Sequence, residues 1–212
     1  LIKEVGEVVR GYGKRCLLVT GSNVPSVEPM FTRLMDALYA AGIIVAHFDG
    51  VIPNPTTDII SNGAEMATAH GADVVLGVGG GSSMDTAKAI AVEATHEGTS
   101  WDYLFYRDTQ PTDKTLPVIA VSTTSGTGSQ VTQVAVITNT KKRDKSAIYH
   151  SIIYPKVAIV DPGPDLPEHI DAVLAAVYAS AAVEPVLSSL GGGGFLMAYP
   201  AEGSQDGPVV YD

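Results

Sequence analysis

The chain has 212 residues, enough for one large α/β domain or one domain with a substantial tail, and 45% of them are hydrophobic against 17% charged. Thirteen basic and 23 acidic side chains give a formal net charge of −10, which argues against a general binder of nucleic acid or anionic membrane. No apolar stretch approaches the ~18–20 residues of a bilayer-spanning helix, and no basic-then-apolar leader opens the chain. The one cysteine, Cys16, sits in an apolar run and reads as a core residue. No disulfide can form within the chain, so the expectation is a reducing, cytoplasmic compartment. The chain opens on Leu1 rather than a methionine, as a fragment of a longer product would.

Leu1 to Arg10 has the spacing of an amphipathic helix, stopped by Gly11 and Gly13. Cys16 to Thr20 is a short continuous apolar run, the pattern of a strand buried on both faces. From Val27 the apolar positions Met30, Phe31, Leu34, Leu38 and Ala41 recur at helical spacing, and Gly42 ends the helix. Ile43 to Phe48 reads as a second strand, and Pro53-Asn54-Pro55 as a turn into a helix over Thr56 to His70. Val74 to Val78, Ser83 to Glu93 and Pro117 to Val121 continue the strand, helix, strand rhythm. Such alternation predicts βαβ units and a parallel sheet covered on both faces. Val131 to Thr138 and Lys145 to Tyr149, joined by the polar turn 139–144, predict a β-hairpin; Val157 to Val160 returns to the buried pattern. Leu166 to Val183 has a helical look, whereas Gly191 to Gly194 and Glu202 to Pro208 carry little periodicity. The expected division is a dinucleotide-binding unit over 1–162 and a short tail with one helix over 163–212.

Two turns carry chemistry. Gly77-Val78-Gly79-Gly80-Gly81-Ser82-Ser83-Met84-Asp85 lies between a buried strand and a helix. Successive glycines let backbone N–H groups approach an anion, and a helix N-terminus adds its unpaired donors and dipole. It is neither a G-x-G-x-x-G fingerprint nor a Walker loop, and a plain tight turn N-capped by Ser82 or Ser83 is the simpler reading. Ser122-Thr123-Thr124-Ser125-Gly126-Thr127-Gly128-Ser129 directly follows the next strand, and eight small residues in a row would also suit a flexible linker. Two anion-compatible turns at one edge of one sheet favour a dinucleotide over either alternative.

With these motifs on the page, the chain resembles the iron-containing (class III) alcohol dehydrogenases. The resemblance rests on Gly79-Gly80-Gly81-Ser82 with Asp85, Thr86, Ala87 and Lys88, and on Asp49-Gly50-Val51-Ile52-Pro53-Asn54-Pro55. It rests also on the Thr123-Thr124-Ser125-Gly126-Thr127 turn and on Tyr154-Pro155-Lys156-Val157-Ala158 leading to Asp161-Pro162. A glycerol-phosphate dehydrogenase or dehydroquinate synthase relative fits Ser125-Gly126-Thr127 and Asn54-Pro55 less well.

The resemblance implies a Rossmann-like parallel sheet with flanking helices and a β-hairpin. It implies that Gly79, Gly80, Gly81 and Ser82 hold the pyrophosphate of NADP or NAD, that Thr123, Thr124 and Thr127 line the adenine and ribose side, and that Asn54, Val136 and Lys145 lie beside the cofactor. Asp85 either belongs to that site or is a first-turn carboxylate favoured by the helix dipole. Family members preferring NAD often carry an acidic residue just after the first strand; here that place is Gly21, followed by Ser22 and Asn23, so the expected cofactor is NADP, with NAD as the alternative. The reaction implied is NAD(P)-dependent interconversion of a small alcohol and its aldehyde; a homo-oligomer is left open, and neither nucleic acid nor membrane is expected as a partner.

The pattern breaks after residue 162. The family continues into an all-helical domain with an Asp, a His four residues on and two later histidines as metal ligands. The counterpart Asp171 is followed at that spacing by Ala175, and no histidine follows His169. No bound metal is therefore expected in this chain, a short divergent tail stands in place of the helical domain, and the competing reading is a truncated, non-catalytic dinucleotide-binding module.

Overall fold

The computed structural model describes residues 2–22, 28–124, 126–160, 186–190 and 194–198. The fold is α/β, a Rossmann-like sheet with flanking helices. Strands β1 (Arg15–Gly21), β2 (Ile44–Val51), β3 (Val74–Gly79), β4 (Val118–Ser122) and β7 (Val157–Val160) run parallel. A separate antiparallel hairpin, β5 (Val134–Asn139) and β6 (Asp144–Tyr149), stands off the sheet. The sheet continues beyond β7 into two antiparallel strands, β9 (Gly194–Ala198) and then β8 (Val186–Leu190).

The order across the sheet is β2-β1-β3-β4-β7-β9-β8. From β1 the chain moves outward to β2, then returns past β1 to β3 on its other side. That reversal is a topological switch point, where crossovers leave opposite faces and open a crevice at the carboxyl ends of the strands. Gly21 ends β1 and Gly79 ends β3, so both border the crevice.

The unbroken apolar strands reflect burial on both faces. Cys16, Leu18, Val74, Leu76, Ile119, Val121 and Ile159 pack with Val5 and Val9 of α1 (Val5–Arg10) and with Leu34 and Leu38 of α2 (Glu28–Ala40). On the other face Leu17, Val19, Val75 and Val118 meet Ile60 and Ala67 of α3 (Thr57–His70) and Ala87 to Val92 of α4 (Gly81–Glu93). Ala135, Ile137 and Ile148 of the hairpin seal the outer side of that second layer.

Local signals set the helix ends. Thr56 caps α3 by accepting from Ile59 N–H at 3.4 Å. Gly71 closes α3 with φ 64°, the left-handed conformation that a Cβ disfavours.

Several bounds differ from the sequence expectation. Residues Ile2–Glu4 form a 3₁₀ turn ahead of α1, and Ser129–Val131 form another before β5. Helix α4 begins at Gly81, two residues ahead of the predicted Ser83, because Gly80 rather than a serine occupies the N-cap. Strand β2 runs on to Val51, which pairs with Gly21 across a register shift. Strands β8 and β9 were not predicted: four glycines beside them mask the alternation, and an edge hairpin on β7 leaves no local signature. The helix predicted over Leu166 to Val183 lies outside the described residues.

Candidate functional site

The carboxyl edge of the sheet carries two turns, and the structure brings them together. β3 ends at Gly79 with φ 141°, where a Cβ would meet the Ser83 hydroxyl. Its carbonyl accepts from Thr123 N–H at 3.0 Å, which stitches the end of β3 to the residue after β4. Gly80 then N-caps α4 with no side chain, and its carbonyl accepts from Ser83 and Met84 N–H at 3.0 and 3.2 Å. The amino end of this 13-residue helix is therefore uncapped by any hydroxyl or carboxylate, and its first N–H groups and dipole lie open toward an anion. Ser82 lies in this first turn, partly exposed, its carbonyl accepting from the Thr86 hydroxyl at 2.7 Å.

The second turn forms the opposing lip. A Cβ on Gly80 would lie 3.3 Å from Thr124 Oγ1, and one on Gly81 would lie 2.5 Å from Thr127 Oγ1. Thr123, Thr124 and Thr127 are all exposed. Within the turn Ser122 donates from its hydroxyl to the Thr124 carbonyl at 2.8 Å, and Ser129 N–H donates to Thr127 Oγ1 at 3.2 Å. The flexible-linker reading fails on this geometry: the turn is bonded at both ends and pressed against α4.

Behind the lip lies a buried polar network. Asp85, one turn into α4, accepts from the Ser129 hydroxyl at 2.6 Å and from Val136 N–H at 3.2 Å. Burial pushes its carboxyl above the usual carboxylate range, against the Ser129 hydrogen bond and the Lys88 charge that pull it back. Asp85 and Val136 thus bond to each other. Lys88, three residues on, is fully buried. Its ammonium donates to Ser129 O at 2.6 Å, Val134 O at 2.8 Å and Ser129 Oγ at 2.9 Å. Burial pushes the Lys88 ammonium down to about 7, with Asp85 acting the other way. Sequence reasoning used Lys88 only as part of the family resemblance and gave it no role in the site, although a lysine inside an apolar helical stretch is a signal of buried function.

Asn54 and Lys145, far apart in sequence, meet directly: Lys145 Nζ donates to Asn54 Oδ1 at 2.6 Å. Asn54 has φ 54°, and Thr138 N–H donates to Pro55 O at 2.9 Å, so the hairpin docks on the turn that leads into α3. The Lys145 charge is the weakest of the influences that pull the burial-raised Asp85 carboxyl back down. Gly21 is half-buried at the end of β1, and a Cβ there would rest 3.7 Å from Val51 O, ordinary contact. Beside it Thr20 Oγ1 lies 2.8 Å from His47 Nε2.

No metal donor set fits among the described residues: nowhere do three His, Cys, Asp or Glu side chains converge. Asp171 and His169 lie outside them. Among the described residues, no helix is long and apolar enough to cross a membrane.

Residues 1–162 match the family described as iron-containing alcohol dehydrogenase. The NADH-dependent butanol dehydrogenase A of Clostridium acetobutylicum is 33% identical over 161 residues, covering 76% of this chain and 41% of that protein. An alcohol dehydrogenase from an archaeal halo-thermophile of a Red Sea brine pool superposes with TM-score 0.73 at 38% identity, over 78% of this chain and 45% of that one. The sulfoacetaldehyde reductase of Bifidobacterium kashiwanohense, solved with NAD+, gives TM-score 0.66 at 32% identity, over 78% and 45%. The chain spans less than half the length of each of these relatives.

Proposed function

The chain belongs to the iron-containing alcohol dehydrogenase family, and from that premise we propose that it holds a nicotinamide dinucleotide across the carboxyl edge of its sheet, as the cofactor-binding half of an alcohol or aldehyde oxidoreductase. One observation carries the reading: the uncapped N-terminus of α4 opens directly onto the Thr123–Thr127 lip. The diphosphate sits on the Gly79–Ser82 backbone, where glycines allow close approach. Thr123, Thr124 and Thr127 offer hydroxyls to the adenosine ribose side. Asn54 and Lys145 border the cofactor, and Val136 and Asp85 brace it from behind. When bound, the dinucleotide exchanges a hydride with the carbon of a small alcohol or aldehyde. This chain's residues bind it, orient it and fix its phosphates.

NADP is the preferred form in this reading, because Gly21 sets no carboxylate against a 2′-phosphate. Residues 1–162 form the binding unit. The single thiol, Cys16, is buried and pushed up to about 12 by burial, which suits a protein of the reducing cytoplasm. Self-association stays open.

A second reading rests on a specific observation. Asp171 is followed at i+4 by Ala175, and no histidine comes after His169 in this sequence. On that reading the chain binds dinucleotide without carrying a metal or turning over substrate by itself. Calorimetric titration with NADP and NAD, on the native chain and on Gly80→Val, tests the binding. Replacing Gly80 should weaken binding at least about tenfold, or 1.4 kcal/mol; equal affinity in the two proteins would take the cofactor away from this turn.

A further inference from the structure

The serine that ends the second turn has every polar atom committed. Ser129 N–H donates to Thr127 Oγ1, and its hydroxyl donates to Asp85. Its carbonyl and its hydroxyl oxygen both accept from Lys88. An ammonium has three donors, and Lys88 finds three short acceptors, Ser129 O, Ser129 Oγ and Val134 O, with Thr132 Oγ1 more distant at 3.4 Å. Such a lysine is a poor choice for stability alone, because a buried charge replaced by an apolar side chain of similar volume is often neutral or stabilising. What the ammonium supplies is a fixed distance. It ties α4, whose amino end forms one lip of the crevice, to the strand and turn that form the other.

We propose that Lys88 is a positioning residue for dinucleotide binding: gripping Ser129 and Val134 from inside α4, it sets the gap between the Gly79–Ser82 turn and the Thr123–Thr127 lip. The inference rests on the reading of that gap as the dinucleotide site. Lys88 touches no ligand itself. Its grip reaches the site through Ser129 N–H and Thr127 Oγ1, the hydroxyl that faces Gly81. The charged group facing it among the described residues is Asp85 on its own helix; Ser129, Thr132 and Val134 contribute only neutral atoms. Loss of its proton leaves two donors for three acceptors, so the grip and the affinity weaken as pH rises.

The test is calorimetric titration of NAD into the native chain, Lys88→Met and Ser129→Ala, from about pH 6 to about pH 9, with thermal melts of each. NAD serves because its diphosphate keeps its charge over this range. The native chain should bind about threefold or more tightly at the acid end. At that end Lys88→Met should bind about tenfold more weakly and lose the pH dependence, and Ser129→Ala, which removes one hydroxyl, should bind about threefold more weakly with the fold intact. A pH-independent native affinity overturns the proposal, as does a folded Lys88→Met, or failing that a Ser129→Ala, that binds as the native chain does. A native chain that binds no dinucleotide at all sinks the functional reading itself, and this inference with it.

Discussion

Gly81 and Thr127 face each other so closely that a single added methyl group on the glycine would lie 2.5 Å from the threonine hydroxyl. The contact joins the first residue of α4 to the lip opposite, across 46 residues of chain. Gly81→Ala must push the Thr127 side chain aside and break the bond it accepts from Ser129 N–H. Because Thr127 is exposed and alanine favours a helix over glycine by up to about 1 kcal/mol, the fold should survive. Dinucleotide affinity should fall about tenfold while the melting temperature holds. No loss of affinity in Gly81→Ala would show that the lip can move without consequence.

Cofactor choice should respond to Gly21. A Cβ there meets nothing closer than Val51 O at 3.7 Å, so an aspartate fits the backbone without strain. Gly21→Asp sets a carboxylate where it repels a 2′-phosphate and accepts from ribose hydroxyls. The ratio of NAD to NADP affinity should rise by about tenfold or more. If both affinities change by one common factor, Gly21 is not at the adenosine ribose.

Stability should carry the signature of Lys88. In the folded chain its ammonium titrates at about 7 instead of the ordinary 10.5, because burial disfavours the charge. Between those values the unfolded chain keeps the proton that the folded chain has released, so stability rises with pH across that window. Urea midpoints measured at about pH 7 and about pH 9.5 should therefore climb in the native chain and climb less in Lys88→Met. Affinity and stability then move oppositely with pH, which separates the grip on the lip from simple loosening of the fold. Equal slopes in the two proteins would place the titration elsewhere.

Metal content bears on the second functional reading. A metal site needs three or four protein ligands around one ion, and the sequence after residue 162 offers one imidazole, His169. The purified chain should retain no stoichiometric iron or zinc after dialysis, and its reduction of a short aldehyde should be weak or absent. Retained metal together with metal-dependent turnover would return the chain to the family's ordinary chemistry.

Much of this was legible in the sequence, for physical reasons. Runs such as Cys16 to Thr20 and Val74 to Val78 are apolar throughout because helices cover both faces, and the two small-residue turns stand out wherever a backbone must approach an anion. The resemblance set Asn54 and Lys145 each beside the cofactor but not against each other, since side chains that far apart leave no periodic trace. Lys88 stood in the family motif without a role, because its acceptors, Ser129 and Val134, lie more than 40 residues on and leave no local trace. The start of α4 was misplaced by two residues because serine is the better N-cap by propensity, whereas a capping side chain would occupy the space an anion needs. Strands β9 and β8 were missed because pairing of β9 with β7, and of β8 with β9, rather than local propensity, makes them strands.

The contacts that define the crevice are drawn from well-separated parts of the chain: Gly79 bonds Thr123, Lys88 bonds Ser129 and Val134, and Lys145 reaches Asn54 from 91 residues away. Closing such long loops is the slow, entropically opposed part of folding, and nothing in the first three strands alone can form the lip. The crevice is complete only when the β5–β6 hairpin has docked. A ligand that recognises it selects finished molecules, and by mass action draws the folding equilibrium toward them.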